Sequence, residues 1–281
     1  MIKLHDNNLH KYFSNTDTGH RDKSSVKNKT TFNFVSNQSN TLTVTVGDSW
    51  TFGADMTLND DYEYRLTNHY GKLISAELSS DWLNLGQGGS GNFWLGNKVD
   101  ELATIIPQLE YDHIYIICTF TEPGRAFNSE LDRHIDYISW FNNNSNFNDL
   151  LKFLNNYVVE QILDTLKEYK NVTLKIGSNF VDHIGLEKAN NVLLPRTWVE
   201  TIYNQTFTPC YIVGTPVLES FKSSIDLCNN KNKNKYLDWI IELGNSSVAR
   251  RKILDDPTNF SSYHPLAIGH RAWGIYILEN L

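Results

Sequence analysis

The stretch Thr41–Gly53, which reads TLTVTVGDSWTFG, constrains the fold of this chain more than any other. Its alternating β-branched run predicts a strand, and the Gly47-Asp48-Ser49 that follows predicts a tight turn from strand to helix. Ser49 would then lie near the N-terminus of a helix, where free amides and the helix dipole favour developing negative charge. That position suits an acyl-transfer nucleophile, and it equally suits a serine that only caps the helix.

Composition excludes several classes of protein. The 281 residues are 40% hydrophobic and 12% aromatic, which is typical of a globular chain with a large core. The net charge is −7 and no basic stripe is present, so we expect no nucleic-acid partner. We expect no membrane span and no signal peptide either, since long apolar runs are missing. A cytoplasmic or virion-associated protein is the consistent expectation.

The cysteines give no sign of a metal or disulfide framework. Cys118, Cys210 and Cys228 are odd in number and widely spaced, without a CxxC pair. A reducing compartment is therefore expected, and Cys118, within the apolar run HIYIICTF, is expected to be a buried core residue.

Strand and helix patterns alternate after a polar N-terminal segment. Residues 1–40 predict either a surface arm that could contact a protein partner or a disordered tail, and residues 41–281 predict one α/β domain. Alternation of this kind favours a mainly parallel sheet covered by helices on both faces. The predicted strands are Leu42–Val46, Trp82–Leu85, His113–Phe120, Val172–Ile176 and Cys210–Val213. The predicted helices are Tyr62–Leu78, a stretch ending near Ile106, Phe147–Tyr169 and Leu266–Leu278.

Four segments carry residue types suited to chemistry at the carboxyl ends of such strands, where open α/β sheets bind ligands. His264 belongs to the last of them, and Pro265 holds it extended before a helix, a suitable place for a general base to Ser49. The segments are Gly47-Asp48-Ser49, Asn84–Asn92 (NLGQGGSGN), Thr119–Arg125 (TFTEPGR) and Ser261–His270 (SSYHPLAIGH).

Together these blocks resemble the SGNH, or GDSL, hydrolase family, and the stretch 65–94 resembles variants carried by tailed phages. The resemblance implies a three-layer α/β/α sandwich with a mainly parallel, flavodoxin-like sheet. It also implies a serine esterase in which Ser49 is the nucleophile and His264 its base. The Ser49 amide and Gly89 would then form the oxyanion hole, and the substrate would be a small-molecule or carbohydrate ester.

Two positions depart from the family pattern. Ser261 stands where an aspartate usually precedes the catalytic histidine, so Asp256, in preference to Asp255, could reach in, or Ser261 or a backbone carbonyl could orient His264. Thr121 stands where the family has an oxyanion-binding asparagine, and Asn92 is an alternative donor. These departures leave open a second hypothesis, a catalytically weak binding or assembly module, for example in a virion.

The remaining candidates have plainer interpretations beside the functional ones. Trp50 could line the substrate pocket or pack in the core, and Arg125 could bind an acidic substrate group or form a surface ion pair. His69 and His113 have no ligand-like spacing with other residues, so we predict no metal and no cofactor. His270 is expected to pack or to cap its helix.

Overall fold

The computed structural model describes residues 2, 4–13, 32–54, 56, 62–88, 90–121, 125–128, 133–136, 147–179, 189–206, 260–261 and 264–281. The strands within these ranges, in chain order, are β1 Asn33–Val35, β2 Thr41–Gly47, β3 Asp81–Gly86, β4 His113–Phe120, β5 Arg125–Asn128, β6 Arg133–Asp136, β7 Val172–Ser178, β8 Phe260–Ser261 and β9 His264–Pro265. The α-helices are α1 Ser49–Phe52, α2 Tyr62–Asn68, α3 Tyr70–Glu77, α4 Asn92–Ile105, α5 Phe147–Leu166, α6 Trp198–Thr206 and α7 Ala267–Leu278.

Among the described residues, five strands form one sheet in the order β1-β3-β2-β4-β7. The pairs β2–β3, β2–β4 and β4–β7 are parallel, and only the edge strand β1 runs antiparallel to its neighbour β3. The shorter strands form two separate antiparallel pairs, β5 with β6 and β8 with β9. The prediction of a mainly parallel sheet is therefore confirmed.

Each face of the sheet is covered by its own helices and apolar cluster. On one face, Val44 of β2 is buried with side chains of α4 and α5, such as Val99 and Val158. On the other face, Ile117 of β4 is buried with aromatic side chains of α3, α6 and α7. This arrangement is the predicted three-layer α/β/α sandwich.

The side chains of β2 alternate between these two faces. Leu42, Val44 and Val46 enter the first cluster, whereas Thr43 and Thr45 face α3 and are equally buried. The Thr45 hydroxyl accepts from the Trp82 indole at 3.1 Å and donates to the Asn84 side-chain oxygen Oδ1 at 3.1 Å. Buried hydroxyls are tolerated here because each has a hydrogen-bond partner.

The described parts of the segment 1–40 pack against the domain. A 3-10 helix at Asp6–Lys11 and strand β1 belong to this segment. Apolar side chains within it are buried in the cluster beside α4 and α5, which explains how so polar a segment is held in place. These side chains are Leu4, Leu9, Phe13 and Phe32.

Helix α1 rests directly on the ends of two strands, and glycines make this contact possible. A Cβ atom on Gly86 would collide with the backbone nitrogen of Phe52. A Cβ atom on Gly47 would collide with the Thr51 side chain and would approach the Thr119 carbonyl oxygen to 2.8 Å. The helix that begins at Ser49 can therefore lie against the sheet edge without an intervening side chain.

The predicted elements agree with the structure except at a few places. The helix predicted over Tyr62–Leu78 is two helices, α2 and α3, because His69 adopts an extended conformation and caps α3. Strand β1 was not predicted. The strand predicted at Cys210–Val213 lies outside the described residues.

Candidate active site

The carboxyl ends of the parallel strands meet at one edge of the sheet. Gly47 of β2 is in register with Gly86 of β3 and with Thr119 of β4, and Phe120 of β4 is in register with Ser178 of β7. Ser49 follows β2 by two residues, so it lies at this edge, where open α/β sheets bind ligands.

Ser49 is the first residue of α1, and the residue before it caps the helix. The Asp48 carboxylate accepts a hydrogen bond from the Trp50 amide at 2.9 Å, and Asp48 has the extended conformation of an N-cap. Gly53, with φ of 80°, ends the helix after one turn. The alternative that Ser49 itself caps the helix is wrong, because Asp48 takes that position and the capping bond does not involve the Ser49 hydroxyl.

The second oxygen of the Asp48 carboxylate ties this turn to two other strands. It accepts from the Thr121 hydroxyl at 2.6 Å and from the Asn179 side-chain amide at 3.1 Å. Thr121 follows β4 and Asn179 follows β7, so one carboxylate joins the ends of three strands. All three side chains are buried, where such charge-assisted bonds are strong.

Thr121 and Asn92, the two predicted side-chain donors to an oxyanion, bind each other. The Asn92 side-chain oxygen Oδ1 accepts from the Thr121 backbone amide at 2.9 Å. The Asn92 amide group donates to the Thr121 carbonyl oxygen at 3.2 Å and to the Asn155 side chain at 2.8 Å. The Thr121 hydroxyl donates to Asp48, so both side chains are hydrogen-bonded to other protein groups at this edge of the sheet. Their role as oxyanion donors stays a prediction.

His264 belongs to a short strand that lies beside helix α1. Strand β9 pairs with β8 so that His264 lies opposite Ser261, and β9 packs against α1 and α7. The chain end thus brings His264 to the helix that begins at Ser49, although the two residues are far apart in sequence. Orientation of His264 by Ser261 stays a prediction.

The positions of the other predicted site residues do not test their proposed roles. Gly89 and Asp256 lie outside the described residues, and Arg125 begins β5. Trp50 is 4% exposed and packs edge-on against Trp198, with ring centroids 5.5 Å apart. Trp50 is therefore part of the core beneath α1, and the substrate-binding roles of Trp50 and Arg125 stay predictions.

Two histidines beside the site are completely enclosed, and sequence reasoning gave neither a role at the site. His270 packs within α7, as expected, and His69 lies at the break between α2 and α3, with the two rings 5.0 Å apart. Burial lowers the pKa of His69 to about 3 and lowers the pKa of His270 well below its usual value. Both rings are therefore neutral at physiological pH.

Cys118 is the cysteine that the structure describes, and it lies in the core. Burial raises the pKa of the Cys118 thiol well above its usual value, as expected for an inert core residue. Within the described ranges, no three potential metal-ligating side chains come together. No helix in these ranges is both long enough and apolar enough to cross a membrane.

The chain is similar to two solved structures. One is a member of the lipolytic protein G-D-S-L family from Veillonella parvula, 11% identical, covering 85% of this chain and 97% of that chain with a TM-score of 0.37. The other is a carbohydrate esterase family 2 enzyme plus carbohydrate-binding domain from Corynascus thermopiles (Myceliophthora fergusii). It is 14% identical, covering 85% of this chain and 64% of that chain, also with a TM-score of 0.37.

No family model matches the sequence, and no curated protein does. Likeness at these identities and TM-scores concerns the arrangement of strands and helices and carries no argument about activity. The case for function therefore depends on the residues at the sheet edge.

The buried histidines predict that the fold loses stability in mild acid. An unfolded histidine takes up a proton below pH 6.5, whereas folded His69 does so only near pH 3, so stability is full above 6.5 and falls as pH drops towards 3. The expected loss is roughly 1 kcal/mol per pH unit per histidine. Guanidinium unfolding at about pH 7.5 and about pH 5.5 measures it.

A matched pair of variants isolates this contribution. His270→Phe keeps an aromatic ring but cannot be protonated, so its stability should depend less steeply on pH than that of the wild type. Trp273→Phe, a change at a buried aromatic residue of the same helix that has no titratable group, should leave the pH dependence unchanged. Equal pH dependence in the wild type and His270→Phe would contradict the prediction.

Proposed function

We propose that this chain is a serine esterase in which Ser49 is the nucleophile and His264 its general base. The packing of the His264–Pro265 strand against the Ser49–Phe52 helix is the observation that most supports it. The placement of Ser49 at the carboxyl edge of a parallel sheet agrees with this role. So does the Asp48 capping bond, which leaves the Ser49 hydroxyl available for chemistry.

The proposed reaction proceeds through an acyl-enzyme. His264 removes the hydroxyl proton while the Ser49 oxygen attacks the ester carbonyl, and the resulting oxyanion accepts hydrogen bonds from the Ser49 and Gly89 amides. The first amides of a helix have no acceptor within it, so the Ser49 N–H is suited to this task. His264 returns the proton to the departing alcohol, and a water molecule, activated in the same way, releases the acid.

The group that orients His264 is proposed to be Asp256. Asp256→Asn should then lower kcat by about a hundredfold or more, because the wrong imidazole tautomer would be favoured. Asp255→Asn, an identical change one residue away, is the matched control and should leave kcat near that of the wild type. Equal activity of both variants would favour orientation of His264 by Ser261 or a backbone carbonyl, that is, a catalytic dyad.

Short acyl esters, acetyl esters of carbohydrates among them, are the proposed substrate class. A series of p-nitrophenyl esters with acetyl, butyryl and octanoyl chains would measure this preference. The highest kcat/KM is expected for the shortest chain. A steady rise of kcat/KM with chain length would indicate a lipase-like substrate instead.

A second candidate function is a catalytically weak module that binds or assembles with a partner, for example in a virion. The hydrogen bonds of Thr121 and Asn92 favour it, because both side-chain donors are occupied by other protein groups. Serine at position 261 favours it as well. The partner could be bound through the N-terminal segment 1–40.

Reaction with a fluorophosphonate probe separates these two functions. The probe phosphonylates only activated serines, so the esterase should be labelled with one probe per chain and Ser49→Ala should not be labelled. Ser36→Ala is the control, because Ser36 hydrogen-bonds Asp81 at the opposite edge of the sheet. A folded wild-type protein that does not react would contradict the esterase and favour the binding module.

A further inference from the structure

His69 stands between α2 and α3, and each of its ring nitrogens binds a backbone group. Nδ1 accepts a hydrogen bond from the Gly71 amide at 2.9 Å and thereby caps α3. Since an amide can only donate, Nδ1 carries no proton, and the neutral ring carries its proton on Nε2. Nε2 lies 2.5 Å from the Thr51 carbonyl oxygen, to which it donates.

Thr51 belongs to the one-turn helix that begins at Ser49. Few bonds hold this helix internally, among them those from the Phe52 amide to the Asp48 carbonyl oxygen and from the Gly53 amide to the Ser49 carbonyl oxygen. A single turn is not stable alone, so its geometry depends on contacts with the rest of the protein. His69 supplies one such contact at the carboxyl end, opposite the end that Asp48 caps.

The ring of His69 is itself held rigidly. It is 1% exposed and stacks on Tyr70, with centroids 4.6 Å apart, while Trp82 lies 4.8 Å and His270 5.0 Å away. The Tyr70 hydroxyl also donates to the Thr51 side chain at 3.3 Å. The aromatic cluster beneath α3 and α7 is thereby connected to the helix that carries Ser49.

We propose that His69 is a positioning residue, whose Nε2–H bond to the Thr51 carbonyl oxygen fixes helix α1 and so aims the Ser49 hydroxyl. The catalytic part of this proposal rests on the proposed role of Ser49 as a nucleophile. The two bonds of His69 have separate consequences: the bond to Gly71 stabilises α3, and the bond to Thr51 orients the nucleophile.

Two substitutions separate these bonds. His69→Asn retains an oxygen at the place of Nδ1, and asparagine is a good N-cap, but its side chain is too short to reach Thr51. His69→Gln extends an amide to the place of Nε2 and can donate to Thr51 while losing the cap. His113→Asn is the control, because the His113 ring binds Thr173 near the opposite edge of the sheet.

Fluorophosphonate labelling and amide hydrogen exchange are measured together on these variants. In His69→Asn, labelling is expected to slow about tenfold, and exchange at Phe52 and Gly53 to accelerate about tenfold, as for loss of one hydrogen bond. His69→Gln should recover most of both properties, and His113→Asn should match the wild type. With p-nitrophenyl acetate, His69→Asn should lower kcat and leave KM nearly unchanged.

The two readouts separate failure of this proposal from failure of the esterase. Equal slowing in His69→Asn and His69→Gln, or wild-type exchange at Phe52 and Gly53 in His69→Asn, would overturn the positioning role. Absence of labelling in the wild type would instead overturn the esterase function, and exchange would still decide whether His69 holds α1.

Discussion

Ser49→Ala is expected to abolish ester hydrolysis without unfolding the protein. The hydroxyl is the proposed nucleophile, and its loss should lower kcat/KM for p-nitrophenyl acetate by at least about a thousandfold. Stability should change little, because alanine is a good helix former and the Asp48 cap does not use the Ser49 side chain. Guanidinium unfolding, measured beside the kinetics, checks that the fold is retained.

The Ser36→Ala variant gives the comparison for this result. It removes a hydroxyl at the amino edge of the sheet, so its kcat/KM should equal that of the wild type. If Ser49→Ala retained a tenth or more of the wild-type activity, another residue would have to be the nucleophile, and the proposed site would be wrong.

His264→Gln is expected to produce the second largest loss. General-base catalysis typically raises the rate about 10²–10⁴-fold. Glutamine cannot accept the serine proton, so kcat/KM should fall by that factor. The backbone pairing of His264 with Ser261 does not involve the imidazole, so the strand should remain in place. Added imidazole should restore part of the activity, since a small base could enter the space left by the ring.

His113→Gln serves as the control for His264→Gln. His113 lies at the start of β4, away from the carboxyl edge of the sheet, and should be dispensable for turnover. Activity of His264→Gln within threefold of the wild type would contradict the assignment of the base.

The sheet could be predicted from sequence because its central strands have a simple signature. Strand β4 is buried on both faces, so it is a nearly continuous apolar run, and its predicted bounds His113–Phe120 match the structure. Helix α5, predicted over Phe147–Tyr169 from its period near 3.6, extends over Phe147–Leu166. These patterns are local, and burial alone explains them.

The elements that were missed depend on distant partners. Strand β1 lies in a polar segment, and its Asn33 is buried opposite Asn84 and accepts from the Tyr62 hydroxyl at 2.9 Å. The break between α2 and α3 depends on the His69 ring, which is not a usual N-cap residue. Neither feature has a signal within its own stretch of sequence.

The two candidate catalytic residues could be predicted from the sequence, but the hydrogen bonds that connect the strand ends around them could not. Ser49 followed from the strand-to-helix turn, and His264 from its place before the closing helix. The Asp48 carboxylate, by contrast, binds partners 73 and 131 residues away, and their proximity depends on the strand order. Asn179 directly follows the observed strand β7, but it lies three residues beyond the strand predicted at Val172–Ile176, so no predicted strand end pointed to this network.

Trapping of the acyl-enzyme is the most direct test of Ser49 as the nucleophile. The protein is mixed with p-nitrophenyl acetate, quenched in acid within the first turnovers, digested and sequenced by tandem mass spectrometry. We predict one acetyl group per chain, located on Ser49 and absent from Ser49→Ala. The acetylated fraction should be larger in His264→Gln when this change slows deacylation more than acylation. Turnover of the ester with no acetyl group on Ser49, or with the acetyl group on another residue, would contradict it.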